Sequence, residues 1–346
     1  MLRVQPGRVA TLTAAIVMTT WTPLLGQTQP APPAVTIGGV AYAQYAYHVS
    51  DSANHFNNFD VTRAYLNVTG RFAEGLATRI TGDIYRNADG SAAYRLKYAY
   101  AAYTPGASPL TFKLGLIHTA LLDWEEALWD YRMQGTMPLE RGGYVSSADF
   151  GAGVDGRWGG EQVNVQLAVV NGENYNQAPG DKGKDFQARA SLRLMGSDDA
   201  SRVGGLRVTG YAQLGTPTTG GTRNRFLGMV SYKSSLGTLA AEAGFTRTAV
   251  GTPAPAATGG QVLSAYGVYR FPGTRAALVG RVDLTDPNTD AAGDKATRII
   301  LGASYQLTPN LRMLADLDNV SYETTPANAA LYAARSQALF QMQFTF

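Results

Sequence analysis

Residues 339–346 read LFQMQFTF. Phe340, Met342, Phe344 and Phe346 alternate strictly with Gln341, Gln343 and Thr345. A period of two is that of a β-strand, whose successive side chains point to opposite faces. One face of the segment is apolar, the other polar, and its last residue is aromatic. One such strand is ordinary; what matters is whether the rest of the chain repeats it.

The amino-terminal end supplies the compartment. Arg3 and Arg8 precede an uncharged stretch, residues 9–25, which is the layout of a secretory leader. The expected division is a signal peptide over 1–26, a periplasmic linker over 27–35 (containing TQPAPPA) and a single membrane-embedded unit over 36–346. A membrane anchor is the rival reading, but the apolar stretch is short for a span, carries Pro23 and several Thr, and stands alone. With no Cys, neither a lipidated thiol nor a disulfide framework is available. Stability must come from packing and hydrogen bonding, which a closed sheet supplies.

A slightly negative mean hydropathy looks soluble, yet a barrel that shows lipid only every second side chain has an unremarkable average. The 39 Gly and 19 Tyr suit it as well. Without Arg3 and Arg8, the 29 basic residues exceed the 26 acids by one. Net charge thus says little, nothing calls for a nucleic-acid partner, and placement decides.

Sixteen segments have strand patterning: 36–48, 59–72, 76–87, 94–104, 110–118, 147–158, 162–172, 185–194, 204–214, 223–234, 238–248, 261–271, 275–285, 296–307, 310–320 and 335–346. Most have the length a tilted strand needs to cross a bilayer, about 9–11 residues, rather than the roughly 5–6 of globular sheets. Their connections alternate. One set is mostly short and rich in Gly, Pro and Ser: 73–75, 105–109, 159–161, 195–203, 235–237, 272–274 and 308–309. The other is mostly longer: 49–58, 88–93, 119–146, 173–184, 215–222, 249–260, 286–295 and 321–334. Short turns on one side and long loops on the other predict a 16-stranded antiparallel transmembrane β-barrel with periplasmic turns and outer loops. Pairing 36–48 with 335–346 would close it and leave no edge for lipid to meet.

Phase then sorts the side chains. Ala64, Leu66, Val68 and Phe72 oppose Arg63, Tyr65, Asn67, Thr69 and Arg71; Leu110, Phe112, Leu114 and Leu116 oppose Thr111, Lys113 and Gly115; Leu206, Val208 and Leu214 oppose Arg207, Thr209, Tyr211 and Gln213. The apolar sets are expected to face lipid. Tyr94, Tyr98, Tyr100, Trp158, Tyr232, Tyr269, Phe271 and Tyr305 fall near strand ends on the outward phase, as aromatic girdles do. The faces of 36–48 and 223–234 stay unassigned.

FDVTRAYLNVTGRF, LATRITGDIYRN, YRLKYAYAAY and LTFKLGLIH resemble the early strands of Gram-negative outer-membrane porins of the phosphate-selective type. LFQMQFTF resembles the closing strand of outer-membrane barrels generally. The wording covers about a third of the chain; the architecture covers the mature part. The resemblance implies a homotrimer in the outer membrane, no enzymatic activity and no cofactor. It also implies that Phe340, Phe344 and Phe346 are read by the barrel assembly machinery, and that small hydrophilic solutes diffuse through. It further implies that the longest loop, after the fifth strand, folds into the lumen.

That loop carries ALLDWEEALWDYRMQG. Asp123 and Glu126 have capping-box spacing, and 124–132 holds good helix formers, so a short helix is expected. Asp123, Trp124, Glu125, Glu126, Asp130 and Arg132 are the candidate constriction residues, their acids set to oppose basic wall residues in a transverse field. The alternative is a helix lying over the mouth or in a subunit contact.

Other motifs carry less. GAGVDG at 151–156 matches the dinucleotide fingerprint, but Phe150, Ala152, Val154 and Trp158 continue a strand through it, where that motif needs a turn into a helix. Its glycines are expected to face the lumen and leave room for the loop. His48, His55 and His118 have no metal-ligand spacing, though loop Asp and Asn suit weak calcium binding. Rim residues His48 and His118 would be needed by a barrel hydrolase, yet nothing places a nucleophile beside them. A non-conducting adhesion or scaffolding barrel is the main competing function, and a fourteen-stranded fatty-acid-type transporter a third. Width favours the channel, because sixteen strands leave water inside.

Inward phase collects thirteen basic residues: Arg63, Arg71, Arg79, Arg95, Lys97, Lys113, Arg157, Arg189, Arg193, Arg207, Arg281, Arg298 and Arg312. Six acids share that phase: Asp83, Asp155, Glu242, Asp283, Asp316 and Asp318. Such an excess predicts a moderate preference for anions, which four loop carboxylates would offset at the narrowest point.

Overall fold

The computed structural model describes residues 33–346 apart from 179, 181, 218–220 and 252–253. The expected leader and residues 27–32 of the expected linker lie outside the described residues. The strands are β1 (Ala34–His48), β2 (Asn57–Arg71), β3 (Leu76–Arg86), β4 (Ala92–Tyr103), β5 (Leu110–His118), β6 (Ala148–Trp158), β7 (Val163–Val170) and β8 (Lys184–Met195). The second half comprises β9 (Gly205–Thr216), β10 (Thr222–Ser234), β11 (Gly237–Ala249), β12 (Thr258–Arg270), β13 (Ala276–Asp286), β14 (Ala296–Thr308), β15 (Leu311–Tyr322) and β16 (Ser336–Thr345). Each pairs antiparallel with its neighbours in sequence, and β1 pairs with β16, so the sixteen strands form one closed barrel. No helix among the described residues is long and apolar enough to cross a membrane.

Closure runs from Val40 opposite Thr345 to His48 opposite Gln337. It satisfies every edge that lipid would otherwise leave without partners. The main chains of Gly39 and Phe346 exchange two hydrogen bonds, at 2.9 and 3.1 Å. A Cβ at Gly39 would lie 2.5 Å from the Phe346 ring and 2.6 Å from the Tyr65 carbonyl oxygen; the ring can swing aside, the carbonyl cannot. Gly39→Val is therefore expected to lower the yield of folded barrel, read on unheated gels as loss of the compact band. An undiminished band would show that the seam tolerates the clash.

The lipid face carries the predicted apolar sets, with Phe112, Leu114, Val208 and Leu214 all exposed. Phase breaks where bulges intervene. At Thr81/Gly82 the register against β4 slips by one, which puts Lys97 and Tyr98 on the same side. Tyr98 is consequently buried with the Arg79 guanidinium over its ring at 4.8 Å, and Tyr100 sits 6.0 Å from the Lys113 ammonium. These two tyrosines do not belong to the lipid girdle, unlike the exposed Tyr94, Trp158, Tyr269, Phe271 and Tyr305. Leu116 is buried too, beside Tyr98 and Ala148, instead of facing lipid.

GAGVDG lies wholly within β6. Its glycines do not make room for the loop: a Cβ at Gly151 would meet the Val169 carbonyl at 2.1 Å, and one at Gly156 the Trp158 ring at 2.2 Å.

Among the described residues three short α-helices stand in the loops: α1 (Leu122–Trp129), α2 (Pro138–Arg141) and α3 (Ala329–Ala333). The first two belong to the connection between β5 and β6, and that connection decides what the lumen is.

Candidate functional site

An irregular loop can be buried only if its main-chain groups find partners. Here the inner wall supplies them. Arg189 donates to the Ala120 carbonyl at 3.0 Å, Lys233 to Ala127 at 2.7 Å, and Arg312 to Asp130 at 2.7 Å. Gln341 donates to Met133 at 2.9 Å, Arg281 to Thr136 at 3.0 Å, and Arg225 to Tyr144 at 2.9 Å. These donors come from β8, β10, β13, β15 and β16, so the loop is laced to one half of the barrel wall.

Apolar packing completes the attachment. The inner faces of β10, β12, β13 and β15 carry Leu227, Met229, Val262, Tyr266, Val268, Val279 and Leu314, which share one buried cluster with Leu121, Leu122, Trp124, Leu128, Trp129, Met137 and Leu139 of the loop. Each tryptophan removes about 150–250 Å² from water, worth up to about 4–6 kcal/mol. A loop held this way packs against the inner face of the wall.

The local geometry of α1 differs from the capping-box expectation. The helix starts one residue before Asp123, with Leu121 flanking it and no side-chain cap, and ends at Trp129 because Asp130 turns left-handed at φ 55. Asp123 instead receives the Arg202 guanidinium at 2.8 Å, from the turn between β8 and β9. Trp124 lies under three guanidiniums, those of Arg189, Arg207 and Arg202 at 4.1, 5.5 and 5.7 Å. Asp130 is shared by Arg270 and Arg312, each at 3.4 Å. Thus Asp123, Trp124 and Asp130 are engaged by basic residues of the wall and turns that hold the loop, and Glu125 is buried. Glu126, the remaining expected acid, is bound within the loop by Arg132 at 2.7 Å, which also reaches Glu140 at 3.3 Å.

Glu125 is fully buried against Glu242 of β11, with Arg281 the nearest cation acting on both. Burial first, then the neighbouring carboxyl, pushes Glu125 well above the usual carboxylate range. Such a site disfavours ionisation of Glu125, which keeps its proton. Because the folded state holds that proton more tightly than the unfolded chain, the contribution to stability is complete at acid pH and is lost as pH rises through the raised value. Glu125→Gln supplies the hydrogen without the proton. Its thermal midpoint is expected to match the parent at pH 4 and to exceed it at pH 9; an identical pH dependence in the two proteins would contradict the raised proton affinity of Glu125.

The basic residues fall into three groups. At the end bearing the short turns, Arg193 binds the Gly160 carbonyl at 2.8 Å, Arg207 the Glu161 carbonyl at 2.6 Å, and Arg157 stands 3.7 Å from the Glu161 carboxylate, while Arg71 is exposed at the end of β2. Behind the loop, Arg189, Arg281 and Arg312 act as the clamps described above. Across the opening, on β2–β5, Arg63 pairs with Asp83 at 2.7 Å, Lys113 with Asp155 at 2.6 Å, and Arg79 binds Asn67 at 2.9 Å and His118 at 3.2 Å. Lys97 donates to the Tyr65 hydroxyl at 3.1 Å, and Arg95 to that of Tyr175 at 3.0 Å. Arg298 pairs with Asp318 at 2.6 Å beside the loop's Gln134. Missed by the sequence reading were Arg141, Glu140 and Arg202, which lie in loops or turns where no period marks a direction, and the carbonyl donors Arg225, Lys233 and Gln341.

His118 stacks on Tyr98 with ring centres 3.9 Å apart, and His48 on Phe56 at 4.8 Å. Among the described residues no serine hydroxyl or carboxylate is hydrogen-bonded to either imidazole.

No family model matches the sequence and no curated protein is similar to it. Solved structures do match. An anion-selective porin from Comamonas acidovorans aligns with TM-score 0.68 at 12% identity, covering 91% of this chain and 100% of that one. Salmonella typhi OmpF, in a complex with daunomycin, aligns at 0.66 and 14%, covering 90% and 97%. A loop-L8 deletion mutant of OmpT, an outer membrane protein of Vibrio cholerae, aligns at 0.65 and 12%, covering 91% and 99%. At such identities the likeness concerns architecture, and the closed barrel with its short turns and long loops agrees with it throughout: the chain has the sixteen-stranded fold of the Gram-negative outer-membrane porins.

Proposed function

We propose that the chain is a porin of the bacterial outer membrane, a water-filled channel through which small hydrophilic solutes diffuse, with a moderate preference for anions and no catalytic role. The observation that carries the anion preference is the fate of the loop carboxylates. Asp123 and Asp130 are bound to Arg202, Arg270 and Arg312, and Glu125 is buried behind the loop. The facing wall carries Arg63, Arg79, Arg95, Lys97 and Lys113, of which Arg63 and Lys113 pair with Asp83 and Asp155 and Lys97 is buried, while Arg132 answers Glu126 and Glu140. A basic wall between low-dielectric surfaces raises the local concentration of anions. Phosphate is one such solute by resemblance alone.

Export through a cleaved leader, residues 1–26, and assembly as a homotrimer belong to the same reading. Phe340, Phe344 and Phe346 are all exposed on the outward face of the closing strand, where the assembly machinery would read them. Reconstitution tests the channel itself: proteoliposomes are expected to swell in an iso-osmotic small sugar, and liposomes that fail to swell would turn the reading toward a non-conducting barrel.

A further inference from the structure

A cavity of about 510 Å³ opens between the inner wall of β1–β4 and the loop segment 132–141. Five arginines line it, Arg63, Arg86, Arg95, Arg132 and Arg141, against one acid, Asp60, which Arg86 pairs. Arg63 is bound by Asp83, and Arg132 by Glu126 and Glu140. Two guanidiniums remain under-compensated, and they come from different sides of the opening.

Arg95 projects from β4 between the rings of Tyr85 and Tyr175, at 5.3 and 4.7 Å. Its nearest carboxylate, Asp83, is 3.8 Å away and already bound by Arg63, and its buried Nε has no hydrogen-bond partner. Arg141 ends α2 on the loop. Its buried Nη1 likewise has no partner, and Asp283, at 3.7 Å, is already held by Arg281 at 2.8 Å. Gly135, at φ +151, makes the space: a Cβ there would come within 2.5 Å of Arg141 Nη2. Burial, then the guanidiniums of Arg298 and Arg281, push the proton affinity of Arg141 down, so an added anion relieves what the protein itself leaves uncompensated.

We infer that this cavity is a saturable subsite for small dicarboxylates, one carboxylate taken by Arg95 on the wall and the other by Arg141 on the loop. The inference rests on the reading of the lumen as an open channel. A monocarboxylate engages only one of the two guanidiniums, and inorganic phosphate concentrates its charge on one centre. Two charge-assisted contacts therefore separate the dicarboxylate from both.

The test is single-channel conductance of the full-length protein in potassium succinate, potassium acetate and potassium phosphate over a wide concentration range. Conductance is expected to saturate in succinate while rising almost in proportion to concentration in acetate and phosphate. Arg95→Gln and Arg141→Gln should each raise the half-saturating succinate concentration roughly tenfold, the weight of one charge-assisted hydrogen bond. Arg275→Gln, which removes a charge in the turn between β12 and β13, should leave it unchanged. The compact band on unheated gels shows that a variant has folded. The subsite is overturned by proportional conductance in succinate, by saturation that survives both substitutions, or by equal saturation in phosphate. Absence of any current in KCl is a different result, which removes the channel reading and the subsite with it.

Discussion

Deleting residues 124–135 is expected to raise single-channel conductance severalfold. A sixteen-stranded barrel encloses water unless something fills it, and here the filling is the β5–β6 loop packed on the inner faces of β10, β12, β13 and β15. The deletion also bares that apolar strip and takes the carbonyl partners from Lys233, Arg312 and Gln341. A barrel that conducts more should therefore also unfold at lower temperature, since each lost bond to a charged donor costs about 1.5–3 kcal/mol. Trp129→Ala gives the milder version. Trp129 is fully buried against Tyr266 at 5.5 Å, and truncating it should cost about 3–5 kcal/mol, loosen the loop and broaden the distribution of conductance steps. Unchanged conductance in the deletion would take the loop out of the conducting path.

Reversing charge on the opposite wall should have the second large effect. Arg95→Glu with Lys97→Glu changes four units of charge on β4, one of them at a buried position, without touching a donor that holds the loop. At about 7 Å in water, with physiological screening, each reversal alters the anion-to-cation difference by about 1 kcal/mol, roughly fivefold in permeability ratio. Together they should carry the channel across to cation preference. Reversing Arg189 and Arg312 instead should unfasten the loop and change conductance more than sign, because those side chains are clamps.

Much of this was legible in the chain. Alternation and loop parity fix strand number, closure and the side on which long loops lie, because each is a property of local sequence. The bulge at Thr81/Gly82 was not, since a one-residue slip leaves composition untouched while turning Tyr98 and Tyr100 inward. Nor does phase alone say which half of an inner wall faces water. Arg63 and Arg281 read alike as inward cations, yet one meets the passage and the other holds Thr136. That distinction depends on where a loop from a distant part of the chain comes to rest. Likewise Val279 shares the phase of Arg281 and Asp283, yet with Leu227 of the unassigned segment 223–234 it belongs to the seat for Trp129 and its neighbours.

The most direct measurement is the reversal potential of the purified protein in a planar bilayer under a KCl gradient. The account predicts discrete conductance steps and a potential of the sign that marks chloride as the more permeant ion. Steps with a cation-selective sign would contradict the electrostatic reading of the β2–β5 wall, and a bilayer without steps would contradict the channel.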